Sequence, residues 1–402
     1  MYIERTMEQT IRQAAAQFPV LLVTGARQVG KTTLLAHLAG TERAYVTLDD
    51  PLVCEMAVLD PAQFMQRYPY PVLIDEVQYA PGLLPYIKMA VDRDRKPGAF
   101  WLTGSQQFHL MKGVSESLAG RVAVLRLAGL TRREIRKDAS DAPAFLPGEN
   151  PEKNVSLDLK ELYRLIWRGG FPALALNAAT DWELFYGSYV QTYLQRDVRD
   201  LARVGDETAF LRFMRAAAAR TGQLLNMADL ARDADVSSHT AKSWLSILEA
   251  SGIVYLLEPW YANQTKRLVK APKLFMLDTG LAAYLTGWTS PETLEAGAMA
   301  GAMLESWVMA ELLKSWWSRG KRAPFYFYRD RDAREIDLVI ARDGRLYPVE
   351  IKKTASPNRG DVSAFKALAK SGSEIGPGGV ICLVEASLPL GEGARSIPIG
   401  EI

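Results

Sequence analysis

The feature that most constrains this chain is a glycine-rich loop set between a short apolar run and a helix-forming run. The loop reads Gly25-Ala-Arg-Gln-Val-Gly-Lys-Thr32; Val20–Val23 before it predicts a buried strand, and residues 33–38 after it predict a helix. Glycines let backbone N–H groups turn inward at a helix N-terminus, where they bind phosphate. Lys31 would neutralise phosphate oxygens and Thr32 would hold Mg²⁺. The segment therefore predicts a nucleotide-phosphate site in an α/β fold, and a plain glycine turn is the alternative.

A later apolar strand ends in two adjacent carboxylates, Asp75 and Glu76. Burying such a pair is costly unless a metal or a basic group compensates it, and a pair solvated in a loop is the alternative. We expect Asp75 to bind the Mg²⁺ of bound ATP and Glu76 to polarise the attacking water. The strand predicted at Phe100–Thr103 would lie beside this one, so Ser105, or Thr103 near it, would reach the γ-phosphate or the water.

These motifs occur together with other short motifs spread along the chain. They are Gly25-Ala-Arg-Gln-Val-Gly-Lys-Thr-Thr33, Leu48-Asp-Asp-Pro51, Leu73-Ile-Asp-Glu-Val-Gln78, Leu102-Thr-Gly-Ser105, Ser117-Leu-Ala-Gly-Arg121 and Gly169-Gly-Phe-Pro172. The set resembles the AAA+ and STAND-like P-loop ATPases. More closely, the chain is similar to bacterial and archaeal ATPases that join an N-terminal AAA domain to a C-terminal domain of unknown function.

The resemblance implies roles for residues of the loop and of the strands beside it. The nucleotide-binding residues would be Gly25, Ala26, Arg27, Gln28, Val29, Gly30, Lys31, Thr32, Thr33 and Asp75, and the catalytic residues Lys31, Glu76, Ser105 and Arg121. In such ATPases an arginine from a neighbouring subunit or domain completes the γ-phosphate site, and Arg121 best matches that motif. An ordinary structural ion pair of Arg121 is the alternative.

The alternation of strands and helices predicts a parallel sheet with helices on both faces in residues 1–136. Its strand candidates are Val20–Val23, Ala44–Leu48, Val72–Ile74, Phe100–Thr103 and Val122–Leu125. The proline-rich stretch 137–156 lacks helical or strand periodicity and is interpreted as a linker. Residues 157–296 are predicted to form a helical and winged-helix domain. Residues 297–402 are predicted to form a second α/β domain.

The middle domain contains a pattern typical of a helix-turn-helix. Met227–Ala234 predicts a short helix, and Ser238–Ala250 predicts a second one with Ser237 as its N-cap. The strand predicted from Ile253 would begin a wing. The exposed side of the second helix offers the small polar and basic groups Ser238, His239, Thr240, Lys242 and Ser243, which suit a DNA groove.

A basic stretch follows the predicted wing strand. Its residues are Lys266, Arg267, Lys270 and Lys273, with no acidic residue from Pro259 to Leu277. Such a stretch favours contact with DNA phosphates. The alternatives are a winged helix that serves only for packing and a solvated charged face.

A predicted hairpin carries the charged residues of the C-terminal domain. Asp343-Gly344 is a favoured two-residue turn, which pairs Arg342 with Arg345 and places Asp337 opposite Glu350. The same register places Glu335 opposite Lys352. Strand alternation puts these four charged residues on one face and the following apolar residues on the other: Ile336, Leu338, Val349 and Ile351.

Facing carboxylates repel unless something positive lies between them, and a divalent metal would serve. The pattern resembles the D…E-x-K core of the PD-(D/E)xK restriction-endonuclease-like fold. This resemblance implies metal ligation by Asp337, Glu350 and Glu305, with Lys352 acting on water. A half-buried hairpin with charged cross-strand pairs is the alternative, and the fold is often kept for DNA binding after catalysis is lost.

Composition excludes several other classes of protein. The 402 residues suffice for two to four domains, and no apolar run approaches the roughly 18 residues that cross a bilayer. The two cysteines, Cys54 and Cys382, form no zinc or redox motif, and the N-terminus lacks the order of a signal peptide, so we expect a cytoplasmic protein. Lys and Arg number 48 and Asp and Glu 46, so overall charge gives no argument for nucleic acid.

The sequence thus predicts a cytoplasmic, homo-oligomeric ATPase that hydrolyses ATP with Mg²⁺ and acts on DNA. The alternative is a STAND-like protein that changes assembly state with bound nucleotide and recognises a protein partner.

Overall fold

The computed structural model describes most of the chain. The described residues are 2–104, 114, 116–138, 143–148, 157–193, 207–261, 270–370, 372–391 and 393–402. The strands are β1 (Val20–Thr24), β2 (Ala44–Thr47), β3 (Val72–Asp75), β4 (Phe100–Gly104), β5 (Val122–Arg126), β6 (Gln223–Leu224), β7 (Val254–Leu257), β8 (Lys273–Met276), β9 (Phe325–Arg329), β10 (Glu335–Arg342), β11 (Arg345–Ile351), β12 (Glu374–Ile375), β13 (Gly378–Cys382), β14 (Pro389–Gly391) and β15 (Ala394–Pro398).

Helices surround three sheets. They are α1 (Glu8–Gln17), α2 (Lys31–Ala39), α3 (Pro51–Leu59), α4 (Pro61–Arg67), α5 (Leu83–Arg93), α6 (Arg132–Ile135), α7 (Leu159–Arg168), α8 (Pro172–Ala175), α9 (Trp182–Tyr193), α10 (Glu207–Ala219), α11 (Met227–Ala234), α12 (Ser238–Ala250), α13 (Thr279–Leu285), α14 (Pro291–Ala296), α15 (Ala300–Trp317) and α16 (Phe365–Ala369). No helix in these described ranges is long and apolar enough to cross a membrane.

The N-terminal sheet has the strand order β2-β3-β4-β1-β5 and is parallel throughout. Leu21 and Val23 pack into one apolar cluster, and Val20 and Leu22 pack into another on the opposite face. Both faces are covered, as all-parallel sheets require. The α/β class is therefore confirmed, and β4 lies between β1 and β3, beside the Asp75 strand as the sequence predicts.

The middle of the chain combines paired helices with a small antiparallel sheet. Helix α11 ends at a tight turn, and α12 begins with Ser237 as its N-cap, whose side chain accepts a hydrogen bond from Thr240 N. The sheet has the order β6-β8-β7. Trp244 and Leu248 of α12 are buried against it and its neighbours. The second helix and the strand after it thus form where the sequence predicts them.

The C-terminal domain is a mixed sheet with the order β14-β15-β13-β11-β10-β9, and β12 pairs with β11. The hairpin turn has positive φ angles at Asp343 (51°) and Gly344 (78°), as its two-residue geometry requires. Arg342 pairs with Arg345, and the ladder runs on to Leu338 and Val349. Asp337 and Glu350 are the next residues along this register.

One prediction for the hairpin is wrong. Ile336 packs with Val339 on the opposite face from Leu338, whereas the sequence placed it on the same face as Leu338. The pairing of β10 with β9 shifts register between Ile336 and Val339, and such a bulge disturbs the alternation of side chains.

A single apolar cluster runs through all three parts of the chain, and the buried helix α15 lies within it. Residues 143–148 of the predicted linker belong to the same core. Ala144 and Leu146 are buried, Phe145 N donates to Ser315 Oγ at 3.1 Å, and Phe145 O accepts from Trp316 Nε1 at 3.1 Å. This stretch is therefore anchored to α15, and the rest of 139–156 lies outside the described residues.

Candidate functional site

The glycine-rich loop joins β1 to α2 at the carboxyl edge of the parallel sheet. Gly25 has φ 152°, and a Cβ there would lie 2.0 Å from Leu127 O, so no larger residue fits. Gly30 has φ 93°, in the left-handed region that favours glycine. Gln28 also has a positive φ, of 60°. The loop thus depends on its glycines for its shape, as the sequence predicts.

Lys31 is the first residue of α2 and is buried. Its Nζ donates to Gly25 O at 3.2 Å and to Ala26 O at 2.9 Å. The ammonium group therefore lies inside the curve of the loop. A positive charge beside the first amides of a helix is the arrangement that binds phosphate.

Asp75 forms the centre of a network at the end of β3. Its Oδ1 accepts hydrogen bonds from Thr32 Oγ1 at 2.7 Å and from Thr103 Oγ1 at 2.5 Å, and its Oδ2 accepts one from Tyr45 at 3.2 Å. A buried carboxylate beside the hydroxyl of Thr32 is a suitable oxygen donor set for Mg²⁺. The two residues predicted to hold the metal therefore lie in direct contact.

Glu76 follows in the left-handed region, with φ 56°. Its backbone N–H donates to Thr103 Oγ1 at 3.0 Å, and Gln78 Nε2 donates to its carboxylate. Thr103 therefore links the two acidic residues, one through its hydroxyl hydrogen and the other through its oxygen lone pair. The sequence predicted that Ser105 or Thr103 would lie at this site. Thr103 makes these contacts, and Ser105 lies outside the described residues.

Arg121 lies at the amino ends of the parallel strands, whereas the glycine-rich loop lies at their carboxyl ends. It precedes β5, whose Val122 pairs with Val20 and whose Arg126 pairs with Thr24, next to the loop. A strand of this length separates its amino end from its carboxyl end by about 16 Å. Arg121 Nε instead pairs with Asp92 at 2.6 Å, the ion pair that the sequence left as an alternative. Any role of Arg121 at a phosphate site would therefore be in a neighbouring copy of the chain.

Two other arginines lie at the loop, and no motif indicated them. Buried Arg5 donates to Val29 O at 3.0 Å and to Ala128 O at 2.8 Å, and its Nε pairs with Glu134 at 3.1 Å. It therefore braces the loop from the N-terminal segment. No signal in the sequence could have found it, because its partners are distant along the chain.

Arg126 is the second of these arginines. Its guanidinium stacks on Trp317 of α15 at 4.2 Å, and burial lowers its pKa. A Cβ on Gly252, just after α12, would lie 3.5 Å from Arg126 Nη2 and 3.6 Å from Ala26 N. The phosphate loop thus packs directly against the middle part of the chain.

The described side chains that were predicted to contact DNA differ in exposure. Ser238, His239, Lys242 and Lys270 are exposed, and Thr240 is half-buried. Lys266 and Arg267 lie outside the described residues. Lys273, which the sequence grouped with this basic stretch, is only 3% exposed and faces the C-terminal domain. It is therefore not available to DNA phosphates, because β8 turns it inward.

The C-terminal carboxylates gather around Lys273. Its Nζ lies 2.6 Å from Glu335 Oε1, 3.2 Å from Glu305 Oε1 and 3.8 Å from Asp337 Oδ1. Glu350 lies next to this group and pairs with Lys352 at 2.7 Å. The sequence correctly brings the carboxylates of β10, β11 and α15 together, but it missed the lysine among them.

The carboxylates do not fit a resident metal. Among the described residues, no three His, Cys, Asp or Glu side chains are arranged to hold a metal ion. Burial and the nearby Asp337 raise the pKa of Glu305 to about 7 and that of Glu350 to about 9. This arrangement does not support the predicted metal site of Glu305, Asp337 and Glu350, with Lys352 beside it, because an ammonium group already lies among the carboxylates.

Three family models match consecutive parts of the chain. Residues 17–136 match an AAA domain, residues 159–292 match a domain of unknown function (DUF8612), and residues 300–402 match a domain of unknown function (DUF4143). The curated relatives include the Uncharacterized protein Mb2031c of Mycobacterium bovis and the Uncharacterized protein Rv2008c of Mycobacterium tuberculosis. Each is 33% identical over 361 residues, which cover 89% of this chain and 76% of the relative.

Solved structures give weaker likenesses. The Walker-type ATPase paby2304 of Pyrococcus abyssi aligns with a TM-score of 0.43 and 14% identity, over 69% of this chain and 94% of that one. The RuvB Holliday junction branch migration motor of Thermotoga maritima aligns with a TM-score of 0.31 and 17% identity, over 63% and 89%. Neither TM-score is high enough to carry an argument. The family model and the curated relatives show that this chain is an AAA-type P-loop protein and belongs to the same family as the two mycobacterial proteins.

Proposed function

We propose that this chain hydrolyses the β–γ bond of ATP and uses that cycle to act on DNA. The observation that carries the first half is the contact network of Thr32, Asp75, Thr103 and Glu76 at the mouth of the phosphate loop. It places a hydroxyl and a carboxylate beside the helix N-terminus, with a second carboxylate one residue further on. This is the division of labour that phosphoryl transfer to water needs.

Each residue of the network has a separate task. The loop amides and Lys31 hold the phosphates, and Thr32 and Asp75 would hold Mg²⁺, which neutralises charge on the β- and γ-phosphates when bound. Glu76 orients the attacking water and accepts its proton. Thr103 fixes the backbone N–H of Glu76 and Oδ1 of Asp75 at the same time, so that the two acids keep a constant separation.

The assignment of Glu76 is tested by Glu76→Gln, which keeps the size of the side chain and removes the base. ATP binding should persist, while turnover should fall by about 10²- to 10⁴-fold, the range for loss of a general base. Binding is measured by calorimetry and turnover by phosphate release. Exposed Glu55→Gln on α3 is the matched control. Turnover at the parent rate in Glu76→Gln would show that the base is another group.

The proposed action on DNA is supported by the exposed polar face at the start of α12. Ser238, His239 and Lys242 point to solvent in the first turns of the second helix, and Lys270 is exposed just before β8. Small polar side chains and lysines suit a groove edge and the phosphates beside it. We propose that Lys266 and Arg267 extend this surface and that the chain assembles with further copies of itself.

The test is ATP turnover with and without single-stranded, duplex and branched DNA, combined with a triple variant. Replacing Lys266, Arg267 and Lys270 with alanine should weaken binding to any sequence and flatten its salt dependence by about 0.9 log units per lost contact. A triple alanine variant at the exposed lysines 96, 160 and 370 changes the charge equally and should bind as the parent does. Equal affinity and salt slope in both triple variants would remove this surface from the proposal.

A second candidate is a nucleotide-switched scaffold of the STAND kind that recognises a protein. Direct packing of the loop residue Ala26 against Gly252 favours it, because a change at the phosphates would reach the middle of the chain through one contact. ATP-dependent assembly with slow turnover that DNA leaves unchanged would support this candidate over the first.

A further inference from the structure

Lys273 reaches the C-terminal carboxylates from another part of the chain. It stands at the start of β8, where its backbone pairs with Leu257 of β7 and Leu224 of β6. The carboxylates that surround its ammonium group come from α15 and β10. The residue therefore joins the small sheet of the middle region to the C-terminal sheet.

The ammonium group of Lys273 lies among Glu335, Glu305 and Asp337, and the last two are predicted metal ligands. Oδ1 of Asp337 faces Lys273 at 3.8 Å, while Oδ2 accepts from the backbone N–H of Ile351 at 2.9 Å and from Lys352 Nζ at 3.4 Å. Oδ2 of this central carboxylate thus accepts hydrogen bonds from within the protein, while Oδ1 lies within ion-pair distance of Lys273. One carboxylate oxygen of Glu305 and one of Glu335 pair with Lys273.

The two lysines of the cluster differ in how firmly they are held. The side chain of Lys273 is 4% exposed, and its backbone is fixed by strands on both sides. That of Lys352 is 40% exposed and reaches the carboxylates from solvent. An incoming ion could displace Lys352 by a rotamer change, whereas Lys273 could leave only if β8 moved with it. A buried lysine among carboxylates also cannot be withdrawn cheaply, since the acids would be left uncompensated.

We propose that Lys273 takes the place of the divalent metal, so that the nuclease-like domain serves here as an ion-paired docking face for the β6-β8-β7 sheet and not as a metal-dependent nuclease. The carboxylates occupy the positions that the sequence pattern assigns to metal ligands, but their counter-ion is part of the chain. This inference is independent of ATP hydrolysis and of DNA binding, because it concerns only which cation balances the cluster.

The experiment measures Mn²⁺ binding to the nucleotide-free, full-length chain by electron paramagnetic resonance. Each protein is compared with its own Asp337→Asn counterpart, so that only ions held at this cluster are counted. The parent should bind no Mn²⁺ that depends on Asp337. Lys273→Met, which keeps the length of the apolar stem and removes the charge, should gain one Asp337-dependent ion with an affinity at least about tenfold higher than that of the parent.

Lys352→Met is the matched control, because it removes the exposed lysine of the same cluster and leaves Lys273 in place; it should gain no ion. Asp337-dependent Mn²⁺ binding by the parent would overturn the proposal. So would a folded Lys273→Met protein that binds no ion. If Lys273→Met does not fold, the double variant Lys273→Met/Glu335→Gln removes one charge of each sign and decides the question in the same way.

Discussion

The chain contains two clusters in which lysines and carboxylates meet at a sheet, and their lysines have opposite roles. In the phosphate loop, Lys31 donates to backbone carbonyls while hydroxyl groups satisfy Asp75. In the C-terminal cluster the carboxylates pair with lysines: Glu335 and Glu305 with Lys273, and Glu350 with Lys352. Hydroxyl donors leave the negative charge of a carboxylate in place, so a metal can still be added. A lysine cancels that charge, so the same residue types make a structural contact.

Substitutions of Lys31 and Lys273 should have the largest and most different effects. Lys31→Ala should weaken ATP binding by about 100-fold or more, because two charge-assisted hydrogen bonds to phosphate are lost. Lys273→Met should leave ATP affinity within a factor of about two of the parent, since it contacts no residue of the loop. Calorimetric titration with ATP and Mg²⁺ measures both. Equal losses in the two variants would mean that the clusters are coupled.

The free energy of unfolding should depend more strongly on Lys273 than on Lys352. Lys273→Met leaves three carboxylates without their shared cation and should lower the free energy of unfolding by about 3 kcal/mol, as expected when a buried ion pair loses one partner. Lys352→Met removes a side chain that is 40% exposed, so solvent screening should keep its cost below about 1 kcal/mol. Urea unfolding followed by circular dichroism gives both values. A smaller loss in Lys273→Met than in Lys352→Met would contradict the role of Lys273 as the principal counter-ion.

The pH dependence of stability should reflect the raised pKa values of the buried glutamates in the C-terminal cluster. The folded-state pKa values of Glu305 (about 7) and Glu350 (about 9) lie above the ordinary value of 4.5, so the folded state binds more protons than the unfolded state between these limits. Stability should therefore fall as pH rises from about 4.5, first by titration of both groups and above pH 7 mainly by Glu350, with a slope of up to about 1.4 kcal/mol per pH unit for each group.

Glu350→Gln isolates the upper part of this range. The variant should lose most of the decline between pH 7 and 9, because glutamine has no proton to release on folding or unfolding. Urea midpoints measured at pH 5, 7 and 9 provide the comparison, with exposed Glu374→Gln as the control. Parallel curves for parent and Glu350→Gln above pH 7 would show that another group titrates there.

The smallest expected effect concerns Arg121 and Asp92, which form an ion pair at the start of β5, about 16 Å from the phosphate loop. Both Arg121→Ala and Asp92→Ala break this pair, so their melting temperatures should be alike and close to that of the parent. Only Arg121→Ala should lower turnover if the arginine acts at the phosphate site of a neighbouring copy. ATPase assays at several protein concentrations make the distinction. Matching turnover in the two variants would leave Arg121 with the structural role alone.

The sequence predicts the geometry of the glycine-rich loop well because that geometry is local. Loop shape depends on Gly25 and Gly30, and Lys31 contacts carbonyls only five and six residues away. The strand ending at Asp75 is recognisable from its apolar run, and one rule of sheet order brings it beside β4. The hairpin register likewise follows from the turn at Asp343 and Gly344, because a two-residue loop leaves one pairing.

The sequence by itself thus determined which segments carry charge and which turns and loops place it. Only the tertiary structure decided what balances that charge. Arg5 meets Ala128 across 123 residues, and Lys273 meets Glu305 across 32, and neither pair has a motif. A motif predicts the backbone geometry of residues that are close in sequence, because short-range sterics and hydrogen bonds impose that geometry. A buried counter-ion depends on how separate elements pack, and that packing is set by the shared apolar core of the whole chain.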